Sequence, residues 1–336
     1  MTWLLSTNPR FRLFQLFNSA LIDEVSLARD ARELSDSVLM IPSRQEMILL
    51  AKQYSSDLLT RIYFEKLMDS KHGDFVRRID GIEVGEIDST INSHHSQAPE
   101  IIIVPGMYYR EHPEVGADGR LIQEIATKMG LQSTIVPVSS KGDIATNMAI
   151  LETTLQASQS THIWLISLSR GSAEVRCLLQ KQNAINPSIQ GWMSISGIVA
   201  GSPLIESRLK YWPGRLAHRL LTRITGVSYS LLEQLHPAHE MWQLTEWPRQ
   251  LEMIHVVPVP LSSHIQGKLR RRHRQLSAEG PNDGIVPLVD ILNLPGMIYP
   301  LWGFDHFCRT PDTSALIYRL LAHIQDRSRL RKRIPV

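Results

Sequence analysis

The sequence predicts an α/β protein: a doubly wound, mostly parallel sheet with a helical N-terminal extension and a helical cap insertion. Two observations favour this fold class. From residue 100 onward, short and nearly uninterrupted apolar runs alternate with segments of helical periodicity, a pattern typical of parallel strands covered by helices on both faces. The chain has 336 residues, of which 43% are hydrophobic, enough to build one large domain or two.

The apolar runs predict six strands, and the segments between them predict helices. The strands are expected at residues 101–104, 133–138, 162–167, 191–196, 253–259 and 297–301. The helices are expected at residues 119–129, 143–158, 171–183 and 311–325. Right-handed crossovers between such units produce a doubly wound sheet.

Three segments define the expected organisation of the chain. Residues 1–99 are predicted to form the helical extension and a linker, and residues 100–336 the main domain. Within the main domain, residues 201–251 form a long insertion between two predicted strands. The insertion is rich in leucine and tryptophan, so we expect it to be a helical cap that lines an acyl-chain pocket, lies on a lipid surface or packs on the domain beneath it.

The extension is predicted to contain two helices. Ser43 and Glu46 have the spacing of a capping box, in which each side chain accepts a hydrogen bond from the other residue's backbone. Apolar residues then recur at helical spacing, so one amphipathic helix is expected over residues 44–70. Another is expected around residues 20–38, and the polar stretch 88–99 is predicted to be the linker.

Composition excludes several classes of protein. The only cysteines, Cys177 and Cys308, have no zinc-ligand spacing, which argues against zinc ribbons and disulfide scaffolds and favours a reducing compartment. No apolar run reaches the length of a membrane-spanning helix, and the N-terminal residues lack the succession of regions found in a signal peptide. We therefore expect a cytoplasmic protein; the sequence leaves its oligomeric state open.

The net charge is only +3, but basic residues cluster at 268–274 and 327–333. Such clusters are typical of a solvated face or tail, while contact of these clusters with anionic lipid headgroups or nucleic acid stays open. An apolar stretch at residues 11–17, with Arg10 and Arg12 beside and within it, also leaves peripheral membrane contact open. No nucleic-acid-binding motif is present, so no nucleic-acid partner is expected.

The junction between the predicted strand at 162–167 and the next helix carries residues suited to nucleophilic catalysis. It reads Ser-Leu-Ser-Arg-Gly from Ser167 to Gly171, at the carboxyl end of a strand, where sites lie in such sheets. The pentapeptide resembles the G-x-S-x-G nucleophile elbow of the α/β-hydrolases, with Ser167 in place of the first glycine. The resemblance implies that Ser169 is the nucleophile.

A serine hydroxyl needs a base to accept its proton, and the base needs an orienting acid. Downstream stand Asp283, in an Asn-Asp-Gly turn, and then His306, in a loop flanked by aromatic residues. The order serine, acid, histidine is that of the α/β-hydrolases, and the turn resembles their lipase branches. The resemblance implies Asp283 as the acid and His306 as the base. The structural alternatives are a surface turn for Asp283, a loop histidine for His306 and a helix N-cap for Ser169.

The oxyanion of an acyl-transfer intermediate needs backbone N–H donors. The resemblance implies that they come from Arg170, which follows the nucleophile, and from Met107, which follows Pro-Gly after the strand at 101–104. The same loop continues through Tyr108 and Arg110, which we expect to contact a polar or anionic part of the substrate. A solvated surface loop is the alternative.

The resemblance covers about residues 100–325 and implies an esterase-like or lipase-like serine hydrolase. It implies cleavage of a carboxylic ester through an acyl-enzyme, with no metal or organic cofactor and with an acyl ester or lipid-like molecule as the partner. A thioesterase, an acyltransferase or a membrane-peripheral phospholipase would use the same triad. A non-catalytic scaffold of the same fold is the alternative from a different class.

Overall fold

The computed structural model confirms the predicted α/β class: helices cover both faces of a six-stranded parallel sheet. The apolar stretch 11–17 and residues 88–97 of the predicted linker lie outside the described residues. The described residues are 24–85, 98–181, 186–209, 222–243, 246–248, 250–309 and 312–331.

The sheet has the strand order β2-β1-β3-β4-β5-β6, and every neighbouring pair is parallel. All six predicted apolar runs are strands, although β2 is shorter than expected. The strands are β1 Glu100–Val104, β2 Ser133–Ile135, β3 Ile163–Leu168, β4 Ile189–Ile195, β5 Glu252–Val259 and β6 Met297–Trp302.

The four helices predicted between and after the strands are present as α5, α6, α7 and α12, and the helix expected around residues 20–38 is α1. The helices are α1 Glu24–Leu34, α2 Arg44–Gln53, α3 Ser56–Met68, α4 Lys71–Asp80, α5 Arg120–Lys128, α6 Ile144–Ala157, α7 Gly171–Gln180, α8 Pro203–Leu209, α9 Tyr229–Gln234, α10 Gly267–Leu276, α11 Val289–Leu292 and α12 Thr313–Arg331. Among the described residues, none of these helices is long and apolar enough to cross a membrane.

The prediction of one helix over residues 44–70 is wrong, because the segment contains two helices, α2 and α3. Tyr54 is extended, with φ −123° and ψ 152°, and the Ser55 side chain caps the first turn of α3. Apolar spacing continues across this break, so periodicity alone did not reveal it. The capping box at the start of α2 is confirmed, with Ser43 N–H to Glu46 Oε2 at 2.7 Å and Glu46 N–H to Ser43 Oγ at 3.2 Å.

The N-terminal helices share the core of the sheet. Buried residues of α1, α2 and α3 pack on one face together with α6 and α7, while α4 packs on the other face with α5 and α12. His72, on α4, binds the edge strand β6. The Ile298 N–H of this strand donates to His72 Nδ1 at 3.0 Å. Burial lowers the pKa of His72 to about 4, so the ring is neutral and accepts this bond. An edge N–H that would otherwise be open to pairing is thereby satisfied.

The insertion between β4 and β5 contributes the helices α8 and α9. Residues 210–221, inside it, lie outside the described part of the chain. Four of its apolar side chains form a separate buried cluster with residues at the starts of α6 and α7: Val227, Leu231, Leu235 and Trp242. The insertion therefore packs at the carboxyl edge of the sheet, where β3 runs into α7.

Candidate active site

Ser169 occupies a tight turn between β3 and α7. Its φ is +49°, a left-handed conformation that non-glycine residues rarely adopt and that marks functional sites when the surrounding structure enforces it. The turn also requires a small residue two positions after Ser169, and Gly171 occupies that position. A Cβ atom there would lie 2.5 Å from the Val104 carbonyl oxygen, so helix and strand can approach this closely only with glycine.

Ser167, which replaces the first glycine of the elbow pattern, is fully buried on β3. Its Oγ accepts a hydrogen bond from the Trp192 indole N–H at 2.8 Å and lies 2.9 Å from the Ser172 hydroxyl oxygen. The hydroxyl thus satisfies a buried indole that a glycine would leave without this partner. The departure from the pattern is compatible with the turn because serine is small and its polar group is bonded.

A continuous chain of hydrogen bonds joins three residues that are far apart in sequence. Ser169 Oγ lies 2.8 Å from His306 Nε2, and His306 Nδ1 lies 2.8 Å from Asp283 Oδ2. Since an ionised carboxylate only accepts hydrogen bonds, Nδ1 carries the proton and Nε2 can accept from the serine hydroxyl. The histidine and the carboxylate are almost fully buried. The residues come from the ends of β3 and β6 and from the turn after α10.

The turn around Asp283 fixes the orientation of its carboxylate. Its second oxygen, Oδ1, accepts from the backbone N–H groups of Ile285 at 2.8 Å and Val286 at 2.7 Å. Gly284 has a φ of +97°, which lets the chain reverse at this point. The His306 backbone N–H donates to the Asp283 carbonyl at 3.2 Å. Both segments are therefore held together by their main chains as well as by the side-chain bond.

The predicted oxyanion donors lie in two backbone segments that flank Ser169. Arg170 is the N-cap of α7, so its N–H stands at the positive end of the helix dipole. On the other side, a Cβ added to Gly106 would lie 3.4 Å from Ser169 Cβ, which shows how closely this loop passes the serine. Met107 lines the cavity beside Ser169. The next residue is held in place, since the Tyr108 N–H donates to Ser140 O at 3.1 Å.

The Arg170 side chain has a structural role that the sequence analysis missed. It is fully buried, and its guanidinium donates to the carbonyl groups of Gly142 and Ser139, both at 3.0 Å. It also lies 3.2 Å from the buried Glu174 carboxylate, which accepts from Asn147 Nδ2 at 3.0 Å. Burial raises the pKa of Glu174, and Arg170 opposes that rise. The spacing of Arg170 and Glu174, one helical turn apart, is the sequence signal that identifies this pair.

This buried pair also connects the two segments predicted to supply the oxyanion donors. The turn that Arg170 binds includes Ser140, whose carbonyl accepts from Tyr108, and whose hydroxyl donates to Glu111 at 3.0 Å. The loop after β1 and the start of α7 are therefore joined through the turn after β2. These hydrogen bonds fix the distance between the two backbone segments that are predicted to bind the oxyanion.

A cavity of about 360 Å³ opens onto Ser169 and His306. Ligand pockets in proteins commonly have volumes of this order. The insertion supplies much of its wall, with Ser202, Leu204, Ile205, Thr222, Thr225, Val227, Leu232 and Leu235. The predicted substrate contact Tyr108 lines the cavity, and burial raises the pKa of its phenol.

Arg110, the predicted cationic contact, is not among the residues that line the cavity. It is exposed, and its guanidinium binds the Tyr109 hydroxyl at 2.8 Å and the Val138 carbonyl at 3.3 Å. These bonds hold the side chain beside the ring of Tyr109, and the contact of Arg110 with substrate stays a prediction. Among the described residues, the arginine that lines the cavity is Arg272, on α10.

Comparison with known proteins identifies the fold. No protein-family model matches the chain, and no curated protein matches it in sequence. Among solved structures, the chain is similar to the metagenomic carboxyl esterase MGS0156, with 18% identity, a TM-score of 0.52 and coverage of 71% of this chain and 77% of that one.

It is also similar to the propeptide form of the lipase BlEst2 from Bacillus licheniformis, with 20% identity and a TM-score of 0.52. That match covers 67% of this chain and 51% of the lipase chain. With the parallel sheet and its strand order, these similarities show that the chain has the α/β-hydrolase fold.

Proposed function

We propose that this protein is a serine hydrolase that cleaves carboxylic esters through an acyl-enzyme. The observation that carries the proposal is the hydrogen-bonded chain from Ser169 Oγ through His306 to the Asp283 carboxylate, with 2.8 Å at each step. Its hydroxyl end faces a cavity and its carboxylate end is buried. The two similar structures are named as a carboxyl esterase and a lipase. We propose that this chain, like them, acts on ester bonds.

The proposed reaction uses His306 first as a base and then as an acid. Ser169 Oγ attacks the ester carbonyl carbon while its proton passes to Nε2, and the carbonyl oxygen becomes an oxyanion. The oxyanion accepts hydrogen bonds from the N–H groups of Met107 and Arg170, each worth roughly 3 kcal/mol in sites of this kind. Its collapse breaks the bond to the alcohol, which leaves with the proton from Nε2.

The second half of the reaction restores the serine. Water attacks the acyl-enzyme and gives a proton to His306 Nε2, and the proton returns to Ser169 Oγ as the carboxylic acid leaves. Asp283 accepts from Nδ1 throughout and stabilises the imidazolium by its negative charge. The two backbone bonds to its other oxygen prevent the carboxylate from rotating away.

The cavity supports an acyl chain as the group next to the carbonyl. Its wall carries apolar side chains from α8 and α9 and from the segment before α9, among them Leu204, Val227 and Leu232. Burial of each methylene contributes about 0.8 kcal/mol, so kcat/KM for p-nitrophenyl esters should rise with chain length until the cavity is full. A flat response across the series would argue against an acyl pocket in this cavity.

Labelling with a fluorophosphonate probe tests the proposal directly. The intact protein should become covalently labelled and should hydrolyse p-nitrophenyl pentanoate, whereas Ser169→Ala should do neither, with a loss of at least about 10⁴-fold in kcat. Ser194→Ala is the matched control, because Ser194 is another buried serine paired with a histidine, at 2.8 Å from His255 Nδ1. Failure of the intact protein to label would favour a non-catalytic scaffold.

A further inference from the structure

The turn that carries Asp283 is closed at its base by the main chain. The Leu288 N–H donates to the Pro281 carbonyl at 2.8 Å, and the Asp283 N–H donates to the Val286 carbonyl at 3.2 Å. The two ends of residues 279–290, which we call the acid segment, therefore lie close to each other. A group that binds both ends also holds the carboxylate that the segment carries.

Arg44, the first residue of α2, binds a carboxylate at each end of the acid segment. Its Nε lies 3.4 Å from Glu279 Oε2, and its Nη2 lies 3.2 Å from Asp290 Oδ2. The planar fork of a guanidinium can bind two groups at once in a fixed geometry, which the ammonium of a lysine on its flexible stem does not provide. One side chain from the N-terminal helices thus joins the two ends of the segment.

The Asp290 carboxylate depends on this cation. Its side chain is only 5% exposed. Burial raises the pKa of Asp290 to about 7, and the charge of Arg44 is the largest effect that opposes the rise. A buried carboxylate that loses its cation is strongly destabilised. Loss of Arg44 should therefore displace or neutralise Asp290 and release one end of the acid segment.

The helix α3 reaches the same turn through hydrogen bonds. The Ser56 hydroxyl donates to the Gly280 carbonyl at 3.1 Å, and this carbonyl also accepts from Asn282 Nδ2 at 3.1 Å. The side-chain oxygen of Asn282 accepts from the Gly284 N–H at 3.0 Å. These bonds connect α3 to both sequence neighbours of Asp283.

The N-terminal helices also pack tightly on the acid segment. Gly280 has a φ of +95°, and a Cβ atom there would lie 2.7 Å from Met47 Cγ of α2. Beyond the other end of the segment, Asn293 Nδ2 donates to the Pro42 carbonyl at 2.9 Å. The segment is therefore held on both sides of Asp283 by residues that precede β1.

We propose that Arg44 is a positioning residue for the Asp283 carboxylate, and that α2 and α3 support the candidate active site by holding the acid segment. The inference rests on the proposed ester hydrolysis at Ser169. In that reaction Asp283 orients His306 in both halves, so a displaced carboxylate slows both formation and hydrolysis of the acyl-enzyme. Arg44 is not among the residues that line the cavity, so the effect is expected on kcat and not on substrate binding.

The test measures kcat and KM of the full-length protein for p-nitrophenyl pentanoate. Each kcat is divided by the fraction of protein that fluorophosphonate labels at completion, so that unfolded molecules do not count. Arg44→Met should lower this kcat by about tenfold or more, because displacement of a catalytic group by about 1 Å can cost about 100-fold. KM should stay nearly the same. Arg44→Lys should recover part of the loss, because the charge remains while the fixed fork is lost.

Arg327→Met is the matched control for the loss of an ion pair. Arg327 Nε lies 3.0 Å from Glu252 Oε2, and Glu252 is the first residue of β5. This pair lies at the amino ends of the strands, whereas Ser169 follows the carboxyl end of β3. Both methionine variants should lower the free energy of unfolding in urea titrations, but only Arg44→Met should lower kcat. Equal falls in kcat would show that activity follows stability and would overturn the inference.

A second pair of variants tests the inference without removing a charge. Ser56→Ala deletes the bond to the Gly280 carbonyl and should lower kcat by about two- to tenfold, the contribution of one hydrogen bond. Ser55→Ala is its control, because the Ser55 hydroxyl caps α3 by accepting from the Leu58 N–H at 3.2 Å. Its loss should lower stability and leave kcat unchanged. If Arg44→Met does not fold, this pair decides the inference.

The outcomes separate the inference from the proposed function. If Arg44→Met and Ser56→Ala keep the kcat of the intact protein per labelled serine, the inference fails while the proposed function stands. A loss of kcat/KM that comes from KM alone would also overturn the inference, because it would place the effect on substrate binding. If the intact protein is neither labelled nor active on any ester, the proposed function fails, and the inference fails with it.

Discussion

Within the described part of the chain, two serine side chains are hydrogen-bonded to a histidine ring, and the two pairs differ in what surrounds them. Ser169 and His306 lie at the carboxyl edge of the sheet, and Ser194 and His255 are register partners within the neighbouring strands β4 and β5. Both pairs have an oxygen–nitrogen distance of 2.8 Å. A serine hydroxyl bonded to an imidazole is therefore not by itself evidence of catalysis.

The second partner of each histidine distinguishes the pairs. His306 Nδ1 meets the Asp283 carboxylate, whereas His255 Nε2 lies 3.0 Å from the Pro295 carbonyl oxygen. A carboxylate stabilises an imidazolium far better than a neutral carbonyl does. The pairs also differ in access, because His255 is fully buried and Ser169 and His306 line the cavity.

The largest expected effect is on kcat and comes from Asp283→Asn. This change gives His306 a neutral partner, as His255 already has. The backbone N–H groups of Ile285 and Val286 should keep the amide oxygen in the place of Oδ1. The amide NH₂ then faces His306 Nδ1 and favours the tautomer with the proton on Nε2, which cannot act as the base. We expect kcat for p-nitrophenyl pentanoate to fall by about 10³- to 10⁴-fold.

The circular dichroism spectrum of Asp283→Asn should match that of the intact protein. The fall in kcat would then come from the changed hydrogen bond to His306 and not from unfolding. A kcat within a few fold of the intact protein's value would contradict the proposed role of the carboxylate.

A smaller effect concerns what supports each serine. The residue after Ser169 is anchored by a fully buried ion pair between Arg170 and Glu174. Arg170→Met leaves the Glu174 carboxylate without its cation, which should lower the free energy of unfolding at pH 7 by about 3–5 kcal/mol in urea titrations. The double variant Arg170→Met with Glu174→Met should recover part of that loss, because no uncompensated charge remains. Equal stability of the single variant and the intact protein would refute the structural role of the pair.

The smallest expected effect is the pH dependence of folding stability that comes from His255. Burial lowers the pKa of His255 from 6.5 to about 4, so the unfolded chain binds a proton that the folded protein excludes. Stability from this group is complete above pH 6.5 and is lost as the pH falls toward 4. Between pH 7 and pH 5 its contribution should fall by on the order of 2 kcal/mol.

Urea titrations at pH 7 and pH 5 check this prediction. His255→Gln should show a smaller decrease in the free energy of unfolding than the intact protein, and the decrease that remains includes the contribution of His72, whose pKa burial also lowers to about 4. An identical decrease in both proteins would show that His255 does not stay neutral in the folded state.

Local sequence determined the elements of the fold and the identity of the three candidate catalytic residues. Runs of apolar residues define strands that are buried on both faces, and this is why all six were located by pattern. The small residues around Ser169 and the Asn-Asp-Gly turn at Asp283 reflect requirements of the local backbone, which short motifs report faithfully. The break between α2 and α3 was not predicted, because apolar periodicity continues across it.

Tertiary structure alone decided which cation faces the cavity and what lies beside each serine. Arg110 and Arg272 are both arginines in charged segments, and only Arg272, on the helix α10 that contacts α8 of the insertion, lines the cavity. The burial of Arg170 likewise depends on carbonyl groups from a turn far away in sequence. Desolvation and hydrogen-bond partners are properties of the folded surroundings, so spacing along the chain carries little information about them.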